Sequence, residues 1–196
     1  MTAITRTGCA SAAQAVARDT SSDQTLIGRI AGGDQLAMRT LFARHRVPVY
    51  RWLLRIVHDE TLAEDLLSDV FLDVWRQAAA FEGRSSVSTW LLAIARHKAL
   101  SARRCRSDAE LDARIATTIA DPADDPEAAL QKKSRSELLR NSLAGLSPEH
   151  GEVIDLVYYH GKSVKEVADI VGVGEATVKT RMFYARKKLA DLVVAA

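Results

Sequence analysis

The sequence predicts an all-α protein of two small helical domains joined by a flexible acidic linker. Apolar residues recur at i, i+3, i+4 and i+7 behind capping residues along most of the chain. No segment alternates apolar and polar residues as a strand does, and a proline-containing acidic stretch divides the chain in two. Its 196 residues, 47% of them hydrophobic, are sufficient for two compact domains.

The first domain is predicted to begin after a polar tail. Residues 1–22 are small and polar without periodicity, so we expect them to be disordered. Asp23 is placed to cap a short helix that reaches Ile30, because the glycine pair at 32–33 can end it. Asp34 can then cap a longer second helix.

Two further helices complete this domain. Thr61 and Glu64 have the spacing of a capping box, which predicts a third helix to about Ala79. A polar loop, Glu82–Ser88, leads into a fourth helix that ends near Arg104. We expect the large core side chains to include Trp52, Trp75 and Trp90.

The charge of the chain changes sharply after the fourth helix. The net charge is only +2, but residues 81–106 hold six Lys or Arg against one acid, and residues 107–131 hold seven acids against one Arg. The acidic segment contains Pro122 and Pro126 and predicts a flexible linker, residues 107–133. The predicted domains are therefore residues 23–106 and 134–196.

The second domain is predicted to hold four helices. One helix runs from Ser134 to about Ala144, and a second begins with Ser147 as its cap and Pro148 in its first turn and reaches His160. The last two helices lie within KSVKEVADIVGVGEATVKTRMFYARKKL, residues 162–189.

This last stretch has the organisation of a helix-turn-helix. Ser163 and Glu166 form a capping box, Gly172 can end the first helix in the left-handed conformation, and Gly174 can cap the next. The turn between the helices is therefore only about three residues long, as a DNA-binding helix-turn-helix requires.

The second helix of this motif has one apolar and one basic face. At about 100° per residue its inward stripe comprises Val178, Met182, Ala185 and Leu189. Exposed aromatic rings among cations suit contact with thymine methyl groups beside phosphates. The candidate DNA contacts are Lys179, Thr180, Arg181, Phe183, Tyr184, Arg186, Lys187 and Lys188, with a solvated charged helix as the alternative interpretation.

An acidic ridge recurs every four residues on the third helix. Like charges at this spacing destabilise a helix slightly, so the pattern indicates a partner that carries basic and apolar groups. A merely solvated acidic face is the alternative. The ridge and its apolar neighbours are Glu64, Asp65, Leu66, Asp69, Val70 and Asp73.

The loop before the fourth helix, with the basic helix behind it, is a second candidate nucleic-acid site. Hydroxyls, an indole and a row of cations are suited to an unstacked base and its phosphates. Ordinary helix capping by the hydroxyls and burial of the indole is the alternative. The candidate residues are Arg84, Ser85, Ser86, Ser88, Trp90, Arg96, His97, Lys98, Arg103 and Arg104.

Other classes of function find little support. Cys9 and Cys105 lie far apart without a metal-binding pattern, although the cations around Cys105 leave a redox role open. The five histidines have no metal-ligand spacing, and no catalytic motif or cofactor motif is present. No apolar run is long enough to span a membrane. We expect a cytoplasmic protein without metal, cofactor or enzymatic activity.

Three segments in register resemble the two-domain sigma factors of the extracytoplasmic-function group. These are AEDLLSDVFLDVWRQ (63–77), FEGRSSVSTWLLAIARHKAL (81–100) and LSPEHGEVIDLVYYHGKSVKEVADIVGVGEATVKTRMFYARKKL (146–189). The resemblance covers nearly the whole chain and identifies the two domains with sigma-2 and sigma-4, without sigma-3.

The resemblance implies a bacterial transcription initiation factor that binds core RNA polymerase and directs it to promoter DNA. It implies that the acidic ridge docks on the polymerase clamp helices and that the loop and basic helix melt and read the -10 element. The carboxyl-terminal helix would read the -35 element, and an anti-sigma factor would cover these surfaces.

Two positions depart from the family pattern. His97 stands where many relatives carry Asn, and Tyr184 where a second Arg is frequent, so base preference cannot be transferred. The alternative to a sigma factor is a dimeric helix-turn-helix regulator that binds duplex operators without polymerase.

Overall fold

A computed structural model of the chain describes residues 21–113 and 145–194, with side chains to residues 106 and 191 respectively. Within these ranges all regular secondary structure is helical. The chain divides into two compact units between Arg106 and Ser107. Residues 1–20 of the predicted tail, most of the linker, the helix at 134–144 and Cys9 lie outside the described residues.

Four α-helices and a short 3₁₀ turn make up the regular structure described for the first unit, which begins at residue 21. Helix α3 is shorter than predicted, because the 3₁₀ turn replaces its last residues. Helix α4 is longer than predicted, because it continues past Arg104 to Ala113. The elements are α1 (Asp23–Ala31), α2 (Gln35–Val57), α3 (Glu60–Gln77), the 3₁₀ turn (Ala78–Ala80) and α4 (Val87–Ala113), which extends beyond Arg106, the last residue of the unit.

The caps of the first unit confirm one prediction and correct two. Asp34 caps α2 as expected, since its Oδ1 accepts from the backbone N–H groups of the next turn at 2.9 and 3.1 Å. Helix α1 is capped by Ser22 rather than Asp23. Helix α3 is capped by Asp59, so the predicted box of Thr61 and Glu64 lies inside the helix.

The side chain of Asp23 instead makes a tertiary contact between α1 and α2. Its carboxylate accepts a hydrogen bond from Arg44 at 2.8 Å and lies 2.7 Å from His45 Nε2. Partial burial opposes ionisation of this carboxyl, but the hydrogen bonds from Arg44 and His45 and their charge outweigh it. The pKa of Asp23 is therefore lowered, which makes this pair of contacts sensitive to acid.

The core of the first unit is built around Trp52. This side chain is fully buried, and its indole N–H donates to the carbonyl of Leu92 on α4 at 3.2 Å. Trp75 and Trp90, which the sequence also placed in the core, are only half-buried.

From residue 145 to residue 194 the second unit is also helical. Ser147 caps α5 with Pro148 at its start, as predicted, and the helix closes with a π turn before His160. The elements are α5 (Pro148–Ile154), the π turn (Asp155–Tyr159), α6 (Val164–Val171) and α7 (Glu175–Val194).

Helices α6 and α7 form the predicted helix-turn-helix. Both halves of the capping box between Ser163 and Glu166 are present, and Gly172 ends α6 with φ 73°. Helix α7 begins directly after Gly174, whose carbonyl accepts from Val178 N at 3.2 Å. A left-handed residue that lacks a Cβ allows the chain to turn sharply here, so only three residues, 172–174, separate the two helices.

Candidate nucleic-acid interfaces

The inner and outer faces of α7 are segregated as the sequence predicts. Val178 and Ala185 are fully buried and Met182 is 7% exposed, so the apolar stripe packs inward. On the opposite face Phe183 is 63% exposed and Tyr184 54% exposed. The prediction that these two rings lie outside the core is confirmed.

The two rings form one aromatic surface among cations. Their centroids lie 5.4 Å apart in a T-shaped arrangement. Large exposed rings are costly in water and mark contact surfaces. Of the predicted DNA-contacting residues around them, only Arg181 is half-buried, and the exposed ones are Lys179, Thr180, Arg186, Lys187 and Lys188.

Arg186 has a partner that the sequence did not reveal. Its Nε donates to the hydroxyl of Tyr158 at 2.9 Å, and its guanidinium carbon lies 5.8 Å from the centre of that ring. Tyr158 lies in the π turn after α5, 28 residues away in sequence, and is 63% exposed. Two adjacent tyrosines before the helix-turn-helix were the only sequence signal of this contact.

The hydroxyls of the loop before α4 serve partly as ordinary caps. Ser86 Oγ accepts from Thr89 N at 3.2 Å and lies 2.7 Å from Thr89 Oγ1, while Thr89 is buried. Ser86 Oγ also lies 3.2 Å from Ser88 Oγ. Ser86 therefore acts as a helix cap, as the alternative interpretation expected. Ser85 does not cap the helix; it is half-buried and lines a cavity.

This cavity lies directly beside Trp90. Its volume is about 230 Å³, below the roughly 300–1,000 Å³ of a drug-sized pocket, and it is shallow and open to solvent. Phe81, which the sequence did not single out, packs on Trp90 with ring centres 4.9 Å apart. Arg84 pairs with Glu82 at the rim. The lining residues are Ala80, Phe81, Glu82, Gly83, Arg84, Ser85 and Trp90.

The basic side chains of α4 differ in their exposure and in their contacts. His97, Arg103 and Arg104 are exposed, and Arg96 is half-buried. Lys98 is engaged, because its Nζ lies 2.8 Å from Asp73 Oδ2 on α3 and both side chains are about three-quarters buried.

The ion pair between Lys98 and Asp73 joins two residues that the sequence assigned to different partners. Asp73 was predicted to bind polymerase and Lys98 to bind DNA. In this structure their charges face each other between α3 and α4.

The acidic ridge of α3 is narrower than predicted. Asp65 and Asp69 are exposed, as is Glu64. Leu66 and Val70, expected to contact a partner, are 7% and 0% exposed because they belong to the core stripe next to the ridge. Leu72, which lies on the ridge side of the helix at 45% exposure, supplies the apolar surface there.

Neither a metal site nor a membrane segment emerges from the described residues. No group of three or more His, Cys, Asp or Glu side chains in this part of the chain is arranged to hold a metal. None of its helices is long and apolar enough to cross a membrane. Cys105 is a free, exposed thiol.

Comparison with protein families gives two matches that fall on these two units. Residues 41–108 match the model of sigma-70 region 2, and residues 142–191 match that of sigma-70 region 4.

Curated relatives include two proteins of Mycobacterium tuberculosis. The ECF RNA polymerase sigma factor SigK is 30% identical over 173 residues, which cover 86% of this chain and 92% of the relative. The ECF RNA polymerase sigma factor SigL is 30% identical over 163 residues, 81% of this chain and 90% of the relative.

Two solved structures are similar over most of the chain. CnrH in complex with the cytosolic domain of CnrY has a TM-score of 0.65 at 26% identity and covers 89% of this chain and 99% of that one. RpoE of Bartonella quintana, in complex with the anti-sigma factor NepR, has a TM-score of 0.63 at 25% identity and covers 79% and 95%.

Proposed function

The chain belongs to the extracytoplasmic-function group of the sigma-70 family of RNA polymerase sigma factors, and on that premise we propose which of its surfaces contact promoter DNA and polymerase. It is a transcription initiation factor that acts with core RNA polymerase. We propose that it opens promoters in the cytoplasm without chemistry of its own, so that strand separation is driven by binding free energy.

The second domain, residues 134–196, binds the -35 element through α7. The observation that carries this assignment is the exposed pair of Phe183 and Tyr184 on a helix whose other face is buried. A helix of this kind fits the major groove, where rings can contact thymine methyl groups and the flanking Lys and Arg can contact phosphates.

The first domain, residues 23–106, binds and melts the -10 element. The cavity beside Trp90 is large enough for one unstacked base, and Phe81 and Trp90 supply aromatic surface at its wall. A stacked base contributes about 1–3 kcal/mol, enough to favour the separated strands at that step. His97, Arg103 and Arg104 are exposed on α4 and are available to the phosphates.

Core polymerase binds the acidic ridge, for which we retain Glu64, Asp65 and Asp69 and add Leu72. Exposed carboxylates beside an exposed leucine fit a partner surface that carries cations around an apolar pocket. Leu66 and Val70 support the ridge from within the core.

Charge reversal on the ridge tests this assignment. Asp65→Lys with Asp69→Lys should abolish or strongly weaken binding to core polymerase, because four units of charge change at the contact. The far-UV circular dichroism should not change, since both side chains are exposed. Asp169→Lys with Asp191→Lys makes the same change in net charge at exposed positions of the other domain and is the matched control. Binding that survives the first pair would refute the assignment.

We also propose that an anti-sigma factor binds this chain. The similar structures of CnrH and RpoE are complexes with the cytosolic domain of CnrY and with an anti-sigma factor. Helix α2 exposes Leu36 and Val47, at 36% and 46%, which gives a partner helix apolar surface outside the ridge.

A further inference from the structure

The contact between Tyr158 and Arg186 links the end of α5 to the DNA-facing helix. Arg186 Nε donates to the tyrosine hydroxyl at 2.9 Å, and the guanidinium carbon, 5.8 Å from the ring centre, lies beyond the hydroxyl rather than over the ring face. The hydrogen bond to the tyrosine hydroxyl restricts where the guanidinium can be. An arginine loses rotamer freedom when it is held in this way.

This contact is poorly placed to stabilise the fold. Tyr158 is 63% exposed, and Arg186 is exposed as well. Exposed polar contacts contribute little to the free energy of unfolding. The packing between this part of the domain and α7 is supplied by a separate apolar cluster of Leu146, Ile154, Ala185 and Leu189. A role other than stability therefore accounts better for a large ring left in water.

Tyr158 itself lies in a segment that is fixed by burial and by backbone hydrogen bonds. Leu156, two residues earlier, is fully buried, and its carbonyl accepts from Lys162 N at 2.9 Å. The N–H of His160 donates to the carbonyl of Asp155 at 3.1 Å and closes the π turn. A hydroxyl on such a fixed segment can define the position of a flexible side chain that reaches it.

The hydrogen bond leaves Arg186 able to bind an anion. A guanidinium carries five N–H donors, and the tyrosine uses the one on Nε. The donors on the two terminal nitrogens match the paired oxygens of a phosphate. Arg186 lies three residues from Phe183 and on the same side of α7, at the edge of the proposed DNA face.

We propose that Tyr158 is a positioning residue that holds Arg186 ready for a backbone phosphate of the -35 duplex. The inference rests on the proposed binding of that duplex by α7 and adds a residue outside the helix-turn-helix to it. Pre-ordering one long side chain before binding should strengthen the complex about 2- to 10-fold.

The test uses the full chain bound to core RNA polymerase of its source bacterium. A duplex is first selected from a randomised library by the wild-type holoenzyme, and its affinity is then measured between 50 and about 200 mM salt. Tyr158→Phe removes the hydroxyl and keeps the ring. Tyr159→Phe removes a hydroxyl from the neighbouring exposed tyrosine and is the matched control. Thermal melting of each variant reports any loss of fold.

Tyr158→Phe should bind about 2- to 10-fold more weakly with an unchanged salt slope, and Tyr159→Phe should bind as wild type does. Arg186→Ala should lower the slope by about 1, because one phosphate contact is lost. In that background Tyr158→Phe should have no further effect, a result that general damage to the domain would not give.

Three results would overturn the inference: wild-type affinity for Tyr158→Phe, tighter binding by that variant, or an equal loss in the Arg186→Ala background. Wild-type affinity for both Arg186→Ala and Phe183→Ala would instead refute the DNA-binding assignment of α7, and the inference with it. The two failures are therefore distinguishable.

Discussion

Replacing Phe183 with alanine separates DNA contact from folding, because the ring lies on α7 at 63% exposure. A fully buried Phe→Ala change costs about 3–5 kcal/mol, so a ring about one-third buried should cost only about 1–2 kcal/mol of unfolding free energy. Burying the exposed part of the Phe183 ring against DNA should contribute about two-thirds of the roughly 1.5–3 kcal/mol that burial of a whole large apolar side chain contributes to binding. The variant should therefore bind the -35 duplex about 5- to 30-fold more weakly.

The matched control is the neighbouring residue on the inner face. Met182 is 7% exposed, and truncation to alanine should cost about 2–5 kcal/mol of stability. Hydrogen exchange of the α6 and α7 amides measures stability in this domain, and holoenzyme binding to a selected duplex measures contact. A Phe183→Ala variant as destabilised as Met182→Ala, or one with wild-type affinity, would refute the assignment of the ring to the DNA face.

Three further outcomes test the first domain. Ser85→Phe puts a ring into the cavity beside Trp90 and should reduce promoter opening, read by 2-aminopurine fluorescence, about 5- to 150-fold; normal opening would exclude a base pocket there. Asp23 stabilises the fold above its unfolded pKa of 3.8, and this contribution is lost as pH falls through its lower folded pKa. The free energy of unfolding of the wild type should therefore decrease as the pH is lowered beyond about 4, and that of Asp23→Asn should decrease less steeply. Denaturant titrations followed by tryptophan fluorescence measure the stability of this domain, because all three tryptophans lie in it. Identical pH profiles for the two proteins would contradict a stabilising role for the Asp23 carboxylate. Lys98→Met should lower the free energy of unfolding by up to about 1 kcal/mol and should not change the salt dependence of DNA binding. Arg103→Met should lower the slope of log affinity against log salt concentration by about 1. A lower slope for Lys98→Met and an unchanged slope for Arg103→Met would show that Lys98 contacts DNA.

Local chemistry explains which elements could be predicted from sequence. Asp34, Ser147 and Ser163 cap the helices they precede, and Gly172 ends α6, because each interaction closes within a few residues. The inner stripe of α7 follows in the same way from its period.

The wrong caps show where local chemistry is insufficient. Asp23 and Ser22 are both good capping residues. Ser22 caps α1 because the Asp23 carboxylate is bound by Arg44 and His45, which lie more than 20 residues away in sequence. No local pattern contains that contact.

The same distinction between local and long-range interactions separates the site residues that the sequence predicted correctly from those that it did not. Exposed Phe183 and Tyr184 followed from helical period alone. Leu66 and Val70 were placed in the ridge because the acidic and core stripes of α3 are adjacent, and only packing against the other helices separates them. The contact of Tyr158 with Arg186 spans 28 residues and required the fold.

The central claim is that this chain initiates transcription only as a subunit of polymerase. The most direct measurement mixes the full chain, core RNA polymerase and a promoter fragment and follows transcript synthesis. We expect specific initiation from the mixture that neither protein gives alone. Tight, sequence-specific duplex binding by the chain without polymerase, together with no transcription from the mixture, would contradict the account and identify a conventional helix-turn-helix regulator.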